Sequence, residues 1–120
     1  MIKPGRLLKS FRYAWRGIAT VAREEQNFRV ELLAAAAVLL LAAYLRVKPA
    51  EAAVLALVCG GVLVLELMNS LLERVVDLVK PRVHPYVAEI KNIAAGAVLV
   101  AAATSIAIAV FIFLPYFLGA

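Results

Sequence analysis

A polar series runs through a largely apolar stretch in the middle of this chain: Glu66, Asn69, Ser70, Glu73 and Asp77. Their spacing is i, i+3, i+4, i+7 and i+11, and at 100° per residue all five fall within roughly 100° of one another on a helix. Ionisable groups in a membrane-crossing helix cost several kcal/mol unless they are paired or solvated, so a stripe of this kind marks a candidate functional site. Carboxylates at such intervals can divide two tasks. One holds Mg²⁺ through oxygen ligands, and the other accepts a proton from an attacking hydroxyl. The same spacing also fits a polar seam between helices or an ion pathway.

Two further polar groups stand at the edges of apolar stretches. Glu24, Glu25 and Glu31 surround Arg29 near the start of the first stretch, and Lys91-Asn92 opens the last. If the three stretches pack together, all three groups converge at one membrane face. No G-x-x-x-x-G-K-[ST] or glycine-rich kinase loop is present, so any nucleotide must be held by side chains on helices. His84-Pro85 reads as loop surface, and Cys59, within an apolar run, reads as a small buried hydrophobe.

The elements that must position these residues are apolar to an unusual degree. With 65% hydrophobic and 18% charged residues in 120, the composition is that of an all-α integral membrane protein rather than a soluble domain. A surface helix is expected over about 6–24, with spans over about 28–45, 51–77 and 91–118, forming one domain over 1–120. Leu7, Leu8, Phe11, Trp15 and Ile18 share a face flanked by Arg6, Lys9, Arg12 and Arg16, the pattern of an amphipathic helix lying in the membrane interface. Ile93–Leu118 is a 26-residue run without charge, and its length decides for a bilayer.

Residues 1–29 carry seven Lys/Arg against Glu24 and Glu25, whereas the rest of the chain is balanced. A basic segment ahead of apolar spans predicts a cytoplasmic N-terminus and attraction to anionic lipid, with no nucleic-acid partner. The 46–49 connection is then outside, the Lys80–Ala88 loop inside and the C-terminus outside. Gly60-Gly61 and Ala94-Ala95-Gly96-Ala97 predict close approach of helix backbones. Three helices are thin cover for polar groups, which predicts a homo-oligomer whose neighbouring subunit helps to enclose the site.

Arg6, Lys9, Tyr13, Trp15 and Gly17, then Glu25-x-x-Phe28-Arg29-x-Glu31, then Glu66-x-x-Asn69-Ser70-x-x-Glu73-x-x-x-Asp77, then His84 and Lys91, resemble the prokaryotic diacylglycerol kinase and undecaprenol kinase family over about residues 6–105. That resemblance implies a homotrimer in a bacterial inner membrane, transferring the γ-phosphate of MgATP to the hydroxyl of diacylglycerol or undecaprenol. It implies Glu66 as general base, Asn69 as a helper beside it, and Glu25 and Glu73 as Mg²⁺ ligands on the nucleotide side. Arg6, Tyr13, Asp77, Lys91 and Asn92 would also face the nucleotide, while Arg29, Glu31 and Ser70 match motif positions without an argued role. The motif context leans toward the undecaprenol branch. One position departs, since the family has Asp where this chain has Asn92; a role through charge would make turnover slow and Asn92→Asp faster by about tenfold or more. The rival from another class is a non-enzymatic membrane protein, either an inactive kinase relative or a small carboxylate-dependent transporter.

Overall fold

A computed structural model describes residues 1–79 and 85–119. Four helices follow in chain order: α1 over Pro4–Glu24, α2 over Gln26–Leu45, α3 over Pro49–Val79 and α4 over Pro85–Phe117. Three of them open on proline, whose fixed φ and missing N–H suit the first helical position. The second opens instead on Glu25, a single extended residue (φ −112°, ψ 112°) that ends α1 and starts α2 at once.

The helix boundaries differ from the sequence expectation at one notable place. Residues 85–88, expected in the inner loop, form the first turn of α4. Pro85 starts that turn and Val87 is buried, so proline and one apolar contact outweigh the polar residues Glu89, Lys91 and Asn92. His84 lies outside the described residues.

α2, α3 and α4 are each long and apolar enough to cross a membrane. At 1.5 Å per residue the 31 residues of α3 extend about 46 Å, well beyond a hydrocarbon layer of about 30 Å, so one end must project into the headgroups. α3 packs most extensively on α4 and then on α2, while α1 touches α2 and α3 lightly. Ala42, Leu55 and Phe113 form the core at the 46–48 end, with Val47 and Ile112 against it. Leu33, Leu40, Leu57, Leu99 and Phe111 point outward in the protomer, the arrangement expected of helices whose solvent is lipid.

The link between α2 and α3 is short and well specified. Arg46 takes the left-handed conformation (φ 53°, ψ 48°), and the Val47 N–H reaches back to Ala42 O at 3.2 Å. This six-to-one bond, with Val47 against the core, is a Schellman ending. Nearby, the Tyr116 hydroxyl donates to the Glu51 carboxylate, and the Lys48 N–H donates to Glu51 Oε1 at 3.1 Å and to Tyr116 Oη at 3.2 Å. The end of α4 is thereby latched to the start of α3. Midway, Ser105 Oγ donates to Val58 O at 3.3 Å across the α3–α4 seam.

The small residues do not do what was expected of them within the protomer. A Cβ added at Gly60, Gly61 or Gly96 would meet nothing within 4 Å, so these positions face open space rather than a neighbouring helix of the same chain.

Candidate functional site

The polar stripe of α3 runs from the buried interior to its projecting end. Glu66 is 2% exposed, Asn69 and Ser70 are buried with it, Glu73 is half-buried and Asp77 reaches the exposed end. Burial of a carboxylate among apolar neighbours is costly and persists only where other groups compensate it. Asn69 supplies one such group, its side-chain amide donating to Glu66. Asn69 Oδ1, Ser70 Oγ and Glu31 Oε2 are buried with no hydrogen-bond partner. Unsatisfied polar atoms packed around one carboxylate are what a site built to receive a polar reactant leaves exposed to it.

Carboxylates from other segments close on the same place. Glu25 and Glu73 both act electrostatically on Glu66, and Glu66 acts on Glu31. The group thus draws on the α1–α2 corner, on α2 and on α3. Among the described residues no three His, Cys, Asp or Glu side chains stand close enough to hold a metal by themselves. Glu25 and Glu73 nevertheless offer hard oxygen donors from two elements, and Mg²⁺ is commonly held by one or two carboxylates with substrate phosphates completing its shell. The donor set therefore fits that ion in the presence of a nucleotide.

The corner that carries Glu25 is fixed by two arginines. Arg29, one turn into α2, sends Nη1 back to the carbonyl oxygens of Ala22 at 2.9 Å and Arg23 at 2.8 Å. It satisfies the open end of α1 and places a cation at the negative pole of that helix. From the other side Arg74 of α3 pairs with Glu24 and reaches Glu25 Oε1 at 3.9 Å, while its Nη1 also donates to Ser70 O at 3.2 Å. Arg74 was not singled out from the sequence, and the available signal was slight: a cation directly after Glu73 in a helix short of cations. At the start of α4, Lys91 Nζ lies 2.8 Å from Asp77 Oδ1, and Asn92 beside it is exposed.

Two expected site residues are not brought in. Arg6 and Tyr13 are exposed on α1, where Tyr13 lies under the Arg16 guanidinium, 5.8 Å from its ring centroid. Arg6 precedes Glu25 by nineteen residues, about 28 Å along a straight helix, which keeps it from the carboxylates of its own protomer.

Three membrane-length helices, a buried carboxylate stripe and a basic amphipathic helix at one end define a multi-pass membrane protein with a polar site at one face. The sequence profile of the prokaryotic diacylglycerol kinase family matches residues 12–113, and the chain belongs to that family. It is a lipid kinase, and membership implies ATP as phosphoryl donor. It is 42% identical to the undecaprenol kinase of Bacillus subtilis over 110 residues, covering 92% of this chain and 89% of that one. To the diacylglycerol kinase of a Synechocystis species it is 41% identical over 110 residues, covering 91% of this chain but only 63% of the relative. The diacylglycerol kinase of Escherichia coli K12 is 29% identical over 96 residues, 80% of this chain and 79% of the relative.

Proposed function

We propose that this protein transfers the γ-phosphate of MgATP to the hydroxyl of a lipid alcohol dissolved in the bacterial inner membrane, with undecaprenol favoured over diacylglycerol. The observation that carries the reading is Glu66: a carboxylate 2% exposed on a membrane-length helix, held by Asn69 and ringed by other acids. Near end-to-end similarity to the Bacillus undecaprenol kinase supports the choice of acceptor. Diacylglycerol stays as the second reading on the strength of the Synechocystis relative.

In the reaction Glu66 accepts the proton of the lipid hydroxyl as its oxygen bonds to the γ-phosphorus, and the bond to the bridging oxygen of ADP breaks. ADP leaves with the electron pair, and Glu66 passes its proton to solvent. Asn69 orients Glu66. When bound, Mg²⁺ supplies charge neutralisation at the phosphates, and Glu25 and Glu73 would hold it. Lys91, fixed by Asp77, presents a cation to the nucleotide at the same end, with Asn92 beside it.

Arg6 and Tyr13 enter this scheme from a neighbouring subunit. A homotrimer is supported by the orphaned polar atoms near Glu66, by glycines that face open space, and by the reach of α1 away from its own site. The whole chain, 1–120, acts as a single lipid-kinase domain with its N-terminus cytoplasmic. Impermeant thiol reagents should label a cysteine at position 47 from outside and one at 83 only from inside, and the reverse would invert the orientation.

The deciding experiment supplies radiolabelled ATP and an extracted lipid pool and identifies the product. Label in undecaprenyl phosphate is the expected result, and label in phosphatidate selects the second acceptor. No labelled lipid at all would return the choice to a non-enzymatic membrane protein.

A further inference from the structure

We infer that Arg74 is a positioning residue for Glu25: it docks the α1–α2 corner on α3 so that the Glu25 carboxylate is held beside Glu73. This deepens the kinase reading and rests on it for the role of Glu25.

The need for such a residue follows from the charges. Glu25, Glu31, Glu66 and Glu73 act on one another as like charges, and like charges gathered at a half-buried site push apart. Glu25 is the acid most free to yield. It sits on a one-residue joint between two helices, on a segment that touches α3 only lightly. Left to repulsion alone, the corner would swing outward and take Glu25 with it.

Arg74 opposes that movement. Among the described residues, the ion pairs joining the corner to α3 are both made by this side chain, to Glu24 and to Glu25. Its own place is fixed by the 3.2 Å bond to Ser70 O, one turn back along the helix that carries Glu66 and Glu73. The division between partners matters. Arg74 grips Glu24 closely and stands 3.9 Å from Glu25 Oε1, so Glu25 is drawn in without being used up and keeps lone pairs for a divalent cation. Arg29 completes the arrangement from behind by binding the Ala22 and Arg23 carbonyls, so the joint moves as one piece. A guanidinium suits the task, since its planar fork can serve two carboxylates and a carbonyl together whereas an ammonium is a point charge.

The test uses the full-length protein in detergent with Arg74→Gln and Arg74→Lys, and two readouts. The first is the Mg²⁺ concentration for half-maximal lipid phosphorylation, with kcat at saturating Mg²⁺ measured separately. The second is the distance distribution between spin labels on Arg12→Cys and Leu78→Cys in a Cys59→Ala background, diluted with unlabelled protein. Arg74→Gln should raise the half-saturating Mg²⁺ by at least about fivefold, leave kcat within about threefold, and broaden the distribution. Arg74→Lys should recover about half of the Mg²⁺ shift. Unchanged or lowered half-saturation, or an unbroadened distribution, would overturn the proposal. If the parent protein phosphorylates no lipid, the kinase reading fails and the distance arm alone decides whether Arg74 docks the corner.

Discussion

Lys91 Nζ stands 2.8 Å from Asp77 Oδ1, tying the first turns of α4 to the last turns of α3 at the open edge of the site. Both side chains are about one-third exposed, so as a contribution to stability the pair is worth at most about 1 kcal/mol. Its value lies in where it puts the ammonium. We expect Asp77→Asn to raise the KM for MgATP by about tenfold while shifting unfolding by less than about 1 kcal/mol. Steady-state kinetics and thermal unfolding in one detergent check this, and equal losses in both would reduce the pair to a structural tie.

The same pairing revises the expectation for Asn92. If the family acid at this position orients the neighbouring lysine, that work is already done here by Asp77. Asn92→Asp should then change kcat by less than about threefold at saturating MgATP. A gain of tenfold or more would mean that Asn92 leaves a charge missing that Asp77 does not supply.

Replacing Glu66 by Gln keeps the shape and the contact with Asn69 but removes the proton acceptor. Turnover should fall by about 10²–10⁴, with ATP binding and subunit number unchanged. Activity within about tenfold of the parent would remove Glu66 as the base.

Glu25→Gln and Glu73→Gln should each raise the Mg²⁺ needed for half-maximal activity by about tenfold. The double variant should show less than the sum of the two effects, because both act at one cation. Mg²⁺ titration curves that superimpose on the parent's in both single variants would refute the shared role.

At the opposite membrane face Tyr116→Phe removes the donor to Glu51 and leaves that carboxylate with the Lys48 N–H. A loss of about 0.5–1.5 kcal/mol in stability is expected, with kcat unaltered. A change in kcat would mean that the outer latch sets the register of α4 as far as Lys91.

What the sequence could and could not reveal follows from the range of each interaction. The carboxylate stripe was legible because all its members lie on one helix, where spacing fixes direction. Membrane-length helices were legible because composition alone requires lipid. The docking of the corner was not, since Arg74 finds Glu24 fifty positions away and no periodicity links them. Arg29 reaches back six and seven residues across a joint that no glycine or proline marks, so helical spacing would have sent it elsewhere. The glycines misled in the other direction: small residues permit close approach, but which surface accepts the offer depends on packing that one strand of text does not carry.

The joint at Glu25 has no slack, and this sets what the gene can tolerate. One inserted residue there would turn α1 by about 100° and shift it about 1.5 Å relative to α2. The face carrying Leu7, Phe11 and Trp15 would rotate from lipid toward water, while Glu25 itself would lose its bearing on Glu66. Length at this point is therefore as tightly specified as residue identity, and the orientation of an entire surface helix is indexed to the aim of a single carboxylate.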